Sequence, residues 1–203
     1  MAQPKPPFVF PREYSFPPFF TRQTNLTTHH AQLEKWSALI LAYTQHHRIF
    51  KLTPPSAASS SAAAADPSLL PAAATANTTH HNTDDLFHNK TLNRRLGPAD
   101  AREVLDAMRR DGRAETVARD GDAVWVYWRT PEEWAALVEA WVDDTAQKGV
   151  VVTLYELTEG DTSLGTEFHG MDPDLLLKAL QVLAKRGKAQ VFGQDDSLGV
   201  KFF

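Results

Sequence analysis

The side chains that could ligate a metal or move a proton are 8 histidines and 25 carboxylates. Six of the histidines form adjacent pairs, His29-His30, His46-His47 and His80-His81, with His88 and His169 standing apart. A helix chelates a metal through side chains at i and i+4, whereas neighbours point about 100° apart. The pairs are therefore expected to be solvated, and His169 beside Gly170 reads as a turn residue ahead of a helix. Glu132-Glu133 and Asp143-Asp144 fall at predicted helix ends, a placement assigned to the helix dipole. There is no glycine loop for phosphate and no nucleophile beside an obvious base, so no catalytic, cofactor-binding or metal residue is nominated. The chain has no cysteine, which excludes disulfides, thiol catalysis and Cys-based zinc sites.

The elements that carry these residues are constrained by composition. With 203 residues, 42% of them hydrophobic, the chain can form one ordinary domain or two small ones. The N-terminal residues lack an apolar signal core and a glycine at position 2, and no run approaches the ~20 apolar residues of a membrane span. A soluble, intracellular protein is expected, without direct membrane insertion. Its 21 basic and 25 acidic residues give a net charge of −4, the wrong sign for a general polyanion binder.

A degenerate repeat organises the chain. Glu34-Lys35-Trp36-Ser37-Ala38-Leu39-Ile40 resembles Glu132-Glu133-Trp134-Ala135-Ala136-Leu137-Val138 at an offset of 98, with apolar residues at i, i+3, i+4 and i+7. Pro98–Val117 resembles Pro173–Phe192 at an offset of 75, pairing Leu105 with Leu180, Met108 with Leu183 and Gly112 with Gly187. The offsets differ by 23, so the first copy must carry an insertion of about that size. The Ala/Ser/Pro-rich stretch 53–82 supplies it, and its lack of large apolar residues predicts a disordered surface loop.

Each copy reads as helix, short strand, helix, helix and two-stranded hairpin, which is the winged-helix order. In the second copy, Thr130-Pro131-Glu132-Glu133 is a capping box launching a helix to about Lys148, and Thr153-Leu154-Tyr155-Glu156 is another behind the strand Gly149–Val152. A helix Pro173–Arg186 and a hairpin around 194–197 complete it. In the first copy the helices are expected at about 28–47, 83–89 and 98–111, with a hairpin turning at Asp120-Gly121. Its last strand should alternate Val124, Val126 and Trp128 on one face with Trp125 and Tyr127 on the other. The predicted fold class is mainly α with small β-hairpins (α+β): an arm over 1–27 and tandem winged-helix domains over 28–129 and 130–203.

A winged helix invites a nucleic-acid reading. From Ala99 to Arg113, Arg102, Arg109, Arg110 and Arg113 are offset by Asp100, Glu103, Asp106 and Asp111; from Asp172 to Lys188 the balance is only +2. Specific DNA binders commonly neutralise about 6–10 phosphates, and acidic residues on a presenting helix repel them. A nucleic-acid-binding regulator is therefore the competing class, separable by a binding titration across salt concentrations.

The most informative segment is Pro6-Pro7-Phe8-Val9-Phe10-Pro11 followed by Tyr14-Ser15-Phe16-Pro17-Pro18-Phe19-Phe20. Burying each aromatic is worth roughly 1.5–3 kcal/mol, so the rings must dock, either on the chain's own first domain or in a partner's groove. The Pro17-Pro18 pair, extended and with little ordering entropy left to lose, favours the partner.

Tyr14–Phe20 with Thr21-Arg22-Gln23-Thr24-Asn25, Trp128–Trp134, Thr153–Thr158, Glu167-Phe168-His169-Gly170 and Gly199–Phe203 resemble the vacuolar protein sorting 25 family, the small subunits of ESCRT-II. The likeness spans nearly the whole chain outside 53–82, although the long loop and Pro6-Pro7-Phe8 depart from the pattern. It implies a non-catalytic adaptor without cofactor or nucleic acid. Pro17, Pro18, Phe19 and Phe20 would dock onto the two larger ESCRT-II subunits. The second domain would recruit and activate an ESCRT-III subunit, for which Val152, Thr153 and Leu154 are the candidate contacts. Two copies per complex, cytoplasmic and recruited to the endosomal membrane, would then serve sorting of ubiquitinated cargo into multivesicular bodies.

Overall fold

The computed structural model describes residues 6–55, 83–117, 122–193 and 198–203. Nearly all of the predicted insertion, His80-His81 and the two hairpin turns at Asp120-Gly121 and 194–197 lie outside the described residues. The chain divides into two compact units, Met1–Trp128 and Arg129–Phe203.

The first unit opens with 3-10 turns at Arg12–Ser15 and Pro17–Phe20, then α1 (Leu26–His47), β1 (Lys51–Leu52) and α2 (Asp84–Phe87). β2 (His88–Asn89), β3 (Arg94–Arg95), α3 (Pro98–Arg110), β4 (Ala114–Thr116) and β5 (Val124–Val126) follow. The second unit runs α4 (Pro131–Asp144), β6 (Val151–Thr153), α5 (Leu154–Glu159), a 3-10 turn at Asp161–Ser163, α6 (Pro173–Lys185), β7 (Ala189–Phe192) and β8 (Gly199–Phe202). The two three-stranded sheets have the orders β1-β5-β4 and β6-β8-β7, all antiparallel, so in each the last strand lies between the other two. That shared topology is the tandem winged-helix fold, α+β and mainly helical.

The repeat pairs superimpose in role. Trp36 and Trp134, Ile40 and Val138, Tyr43 and Trp141, Leu105 and Leu180, and Met108 and Leu183 are all buried. Gly112 and Gly187 follow α3 and α6 at φ of 69° and 71°, a left-handed conformation that lets the chain leave each helix toward its hairpin without a Cβ penalty. In the first unit Trp36 and Ile40 of α1, Leu105 and Met108 of α3, and Val124 and Val126 of β5 share one core.

Several boundaries move for local reasons. α1 starts at Leu26 because the Asn25 side chain accepts from the Thr27 and Thr28 amides. The helix expected over 83–89 is a single turn ending at Phe87, where the chain enters the β2–β3 hairpin, with Asn93 at φ 48° in its connection. α4 stops at Asp144, short of Lys148, and Ala146 at φ 54° turns the chain away. Asp143 sits at a C-terminal end where the helix dipole opposes a carboxylate, so the dipole assignment fails there; Lys148 offsets it at 2.7 Å. β5 is buried on both faces: Val124 and Val126 join the first unit's core, and Trp125 and Tyr127, on the opposite face, are buried as well. Lys51 lies 4.4 Å over the Trp125 ring, and the Tyr127 hydroxyl donates to Glu115 at 2.7 Å.

Among the described residues, no helix is long and apolar enough to cross a membrane, and no group of three His, Asp or Glu is placed to hold a metal ion.

Candidate partner-docking site

The N-terminal arm is folded onto the first unit. Phe16 is extended ahead of Pro17, and Pro17-Pro18 start a 3-10 turn that needs no amide from either proline; the Phe19 amide closes it on the Phe16 carbonyl at 2.9 Å. This turn sends the side chains of one short segment in opposite directions. Phe19 and Phe20 point inward at 6% and 4% exposure, while Phe16 is 59% exposed and Pro17 and Pro18 lie at the surface.

Three sets of side chains hold the arm. Trp36 Nε1 and Gln32 Nε2 both donate to the Phe19 carbonyl, at 3.0 and 2.8 Å, and Gln32 Nε2 also reaches the Thr21 carbonyl at 2.9 Å. Phe20 meets Trp36 edge-on at 5.5 Å between centroids and Tyr14 at 5.2 Å. Asn89 donates to the Tyr14 carbonyl at 2.8 Å, and the Tyr14 hydroxyl donates to the Asp85 carbonyl. Burial pushes the Tyr14 phenol above the usual tyrosine range, with the Asp85 charge adding to it. At the end of the arm, Arg22 makes a two-pronged pair with Glu103 of α3, which also accepts from His29 Nε2 at 3.0 Å. The His29 hydrogen bond, reinforced by Arg22, holds the Glu103 carboxyl below the usual range.

Two shallow apolar grooves flank the arm along α1. One, of about 160 Å³, lies between Phe16, Pro18 and Ala31; the other, of about 450 Å³, lies between Phe8, Phe10 and Ala38. Between them the Glu13 carboxylate meets Lys35 at 3.1 Å.

Against the sequence expectations, the four predicted arm residues split. Pro17 and Pro18 are available to a partner, whereas Phe19 and Phe20 belong to the first unit's core. Exposing Tyr14, Phe19 and Phe20 would each cost roughly 1.5–3 kcal/mol, so the arm stays docked on its own chain and the aromatics are not stranded. The solvated reading of the histidines is likewise corrected. His29 is 7% exposed, with Nδ1 buried and lacking a hydrogen-bond partner. Half-buried His46 donates from Nε2 to the Pro6 carbonyl at 2.9 Å; the His47 ring meets Tyr43 at a tilt, with centroids 4.3 Å apart; His88 lies 3.6 Å from Asp84. His30 is exposed.

In the second unit the candidate contacts also separate. Val152 is a core residue at 6% exposure. Thr153 caps α5: its Oγ1 accepts the Glu156 amide at 3.1 Å, and the Glu156 carboxylate accepts the Thr153 amide at 2.7 Å and the Thr153 hydroxyl at 2.9 Å, two bonds that hold the carboxyl down. Leu154 is half-buried, its amide donating to Leu198. Beside them Val151 and Tyr155 are 53% and 70% exposed. His169 does sit in a turn, and Ser163 Oγ lies 2.8 Å from its Nδ1. Ser163 is fully buried and also donates to the Gly160 carbonyl, so the pair ties a loop together and offers no reachable nucleophile.

Gln32, Trp36, Asn89, Glu103 and His29 were not nominated from the sequence as arm-holding residues. A signal existed for three of them: His29, Gln32 and Trp36 lie at i, i+3 and i+7, so that His29 and Gln32 extend backward the stripe that the periodicity assigned from Trp36 to Tyr43.

Comparison with known proteins agrees with this architecture. A family model described as ESCRT-II complex subunit matches residues 13–172. The chain is 33% identical to vacuolar protein-sorting-associated protein 25 of Xenopus laevis, over 97% of its own length and 99% of that protein. The crystal structure of subunit VPS25 of the endosomal trafficking complex ESCRT-II matches with a TM-score of 0.75 at 25% identity, over 95% of this chain and 98% of that one. A chain in the crystal structure of endosomal complex ESCRT-II (VPS22/VPS25/VPS36) matches at 0.73 and 24%, with the same coverage. With its repeat, its doubled sheet topology and its proline-aromatic arm, the chain belongs to the vacuolar protein-sorting-associated protein 25 family of ESCRT-II complex subunits.

Proposed function

We propose that this chain is a non-catalytic adaptor that joins the two larger ESCRT-II subunits through its arm, with two copies per complex. The observation that carries the reading is the split orientation of the arm: Phe19 and Phe20 lock the 3-10 turn into the core, and Phe16, Pro17 and Pro18 stand out as a preorganised ridge. A ridge already fixed loses little entropy on binding. The composition of the matched complex, VPS22/VPS25/VPS36, supports the choice of partners. Phe19 and Phe20 thus serve the contact from behind, by holding the ridge.

The second winged helix is the part that recruits and activates an ESCRT-III subunit. Thr153 and Leu154 at the start of α5, extended by exposed Tyr155 and Val151, form the candidate surface, and Val152 supports it from the core. The chain acts in the cytoplasm, is recruited to the endosomal membrane with its complex, and serves sorting of ubiquitinated cargo into multivesicular bodies without nucleic acid or cofactor. Replacing Pro17 and Pro18 together by alanine tests the arm reading. Loss of co-purification with the larger subunits, with an unchanged circular dichroism spectrum, is expected; an intact complex overturns it.

A further inference from the structure

We infer that Glu103 is a positioning residue for the partner-facing arm, acting through Arg22 and His29; this rests on the arm reading above. Besides the Glu13–Lys35 pair and the His46–Pro6 hydrogen bond to α1, the arm is pinned at three places that differ in kind. Tyr14 and Phe19 are held by buried aromatic contacts and by hydrogen bonds to main-chain carbonyls. The third pin is ionic, and among the described contacts it ties the arm to α3. Arg22, two residues beyond Phe20, presents Nη1 and Nη2 to the two Glu103 oxygens. Glu103 is simultaneously bonded by His29, in the first turn of α1. One carboxylate therefore fixes both ends of the link Thr21–Asn25 that joins the ridge-bearing turn to α1. His29 is buried and Arg22 is 59% exposed, so Glu103 joins an anchor in the core of α1 to one at the surface of the arm. A two-pronged guanidinium–carboxylate pair sets an angle as well as a distance, which a single lysine contact would not. Glu103 thereby sets the direction in which Phe16, Pro17 and Pro18 face the larger subunits.

The test uses the full chain co-expressed with the two larger subunits and compares Glu103→Gln, Arg22→Gln, the double variant and the Pro17→Ala/Pro18→Ala variant. Each single glutamine change is expected to weaken subunit binding about threefold to tenfold, the range for losing a charge-assisted pair near the surface. The double variant should be no weaker than the weaker single one. Hydrogen exchange at the Thr21 and Gln23 amides should rise while that at Trp36 and Leu105 stays unchanged, which a general loss of stability would not produce. Unchanged affinity in Glu103→Gln, or additive losses in the double variant, overturns the positioning role. If the proline variant itself keeps full affinity, the arm reading fails instead.

Discussion

The indole of Trp36 lies flat on the phenyl ring of Phe19, with centroids 4.4 Å apart and planes 5° from parallel, and the Trp36 N–H donates to the carbonyl of that same Phe19. One residue of α1 thus satisfies both the apolar and the polar part of the arm's central residue. Loss of the Trp36 side chain would therefore remove both contacts at once.

Phe19→Ala removes a buried ring from that stack. A loss of about 3–5 kcal/mol is expected in the first unit, the range for deleting a core phenylalanine. Urea denaturation monitored by tryptophan fluorescence measures it. A cost under about 1 kcal/mol would mean that the arm is not part of the core.

Thr153→Ala removes the hydroxyl half of the α5 capping box. About 1 kcal/mol should be lost at neutral pH, and Thr153→Ser should recover most of it. Since the folded Glu156 carboxyl lies below its unfolded value, the stability it contributes is fully present above the unfolded pKa, about 4.3, and disappears as pH falls through the folded value. The gap between wild type and Thr153→Ala, followed by denaturation from pH 7 to pH 3, should therefore narrow at the acid end.

Gly160 follows α5 with no room for a side chain. An added Cβ would sit 2.9 Å from the Glu156 Cα and closer still to its carbonyl oxygen, both of them backbone atoms. Gly160→Ala should cost about 1–3 kcal/mol through displaced backbone. A thermal midpoint within a degree of wild type would contradict this.

Val152→Ser and Tyr155→Ser separate core from contact surface at neighbouring positions. The first should destabilise the second unit by more than about 1 kcal/mol, because it leaves both a void and a hydroxyl in an apolar site. The second should stay within about 0.5 kcal/mol of wild type and weaken an ESCRT-III pull-down. A pull-down unaffected by Tyr155→Ser overturns the assignment of this surface as the contact.

What could be read from the sequence was local or periodic. Thr130, Thr153, Pro98 and Pro173 announce their helices because capping and proline geometry depend on only the next three or four residues. The repeat was legible because Trp36 and Trp134 occupy the same place in the same helix stripe. The destination of Phe19 was not, since it depends on a complementary surface formed by Gln32, Trp36 and Phe20 that no spacing rule encodes. The burial of His29 is hidden for a related reason: the adjacent His30 makes the pair look solvated, while the position of His29 one turn before Leu33 places it against Arg22 and Glu103. Val152 was misassigned because a strand of three residues, exposed-buried-exposed, offers too short a pattern to say which face is inward.

The arm is synthesised ahead of the groups that anchor Tyr14 and Arg22, which come 71 to 81 residues later, at Asp85, Asn89 and Glu103. At a ribosomal pace of about 5–20 residues per second, the arm emerges several seconds before these anchors do. Until α3 clears the ribosome, the arm's rings have only α1 to cover them, through Trp36 and Tyr43. A nascent chain halted before Glu103 would carry an incompletely seated aromatic segment, open to capture by chaperones.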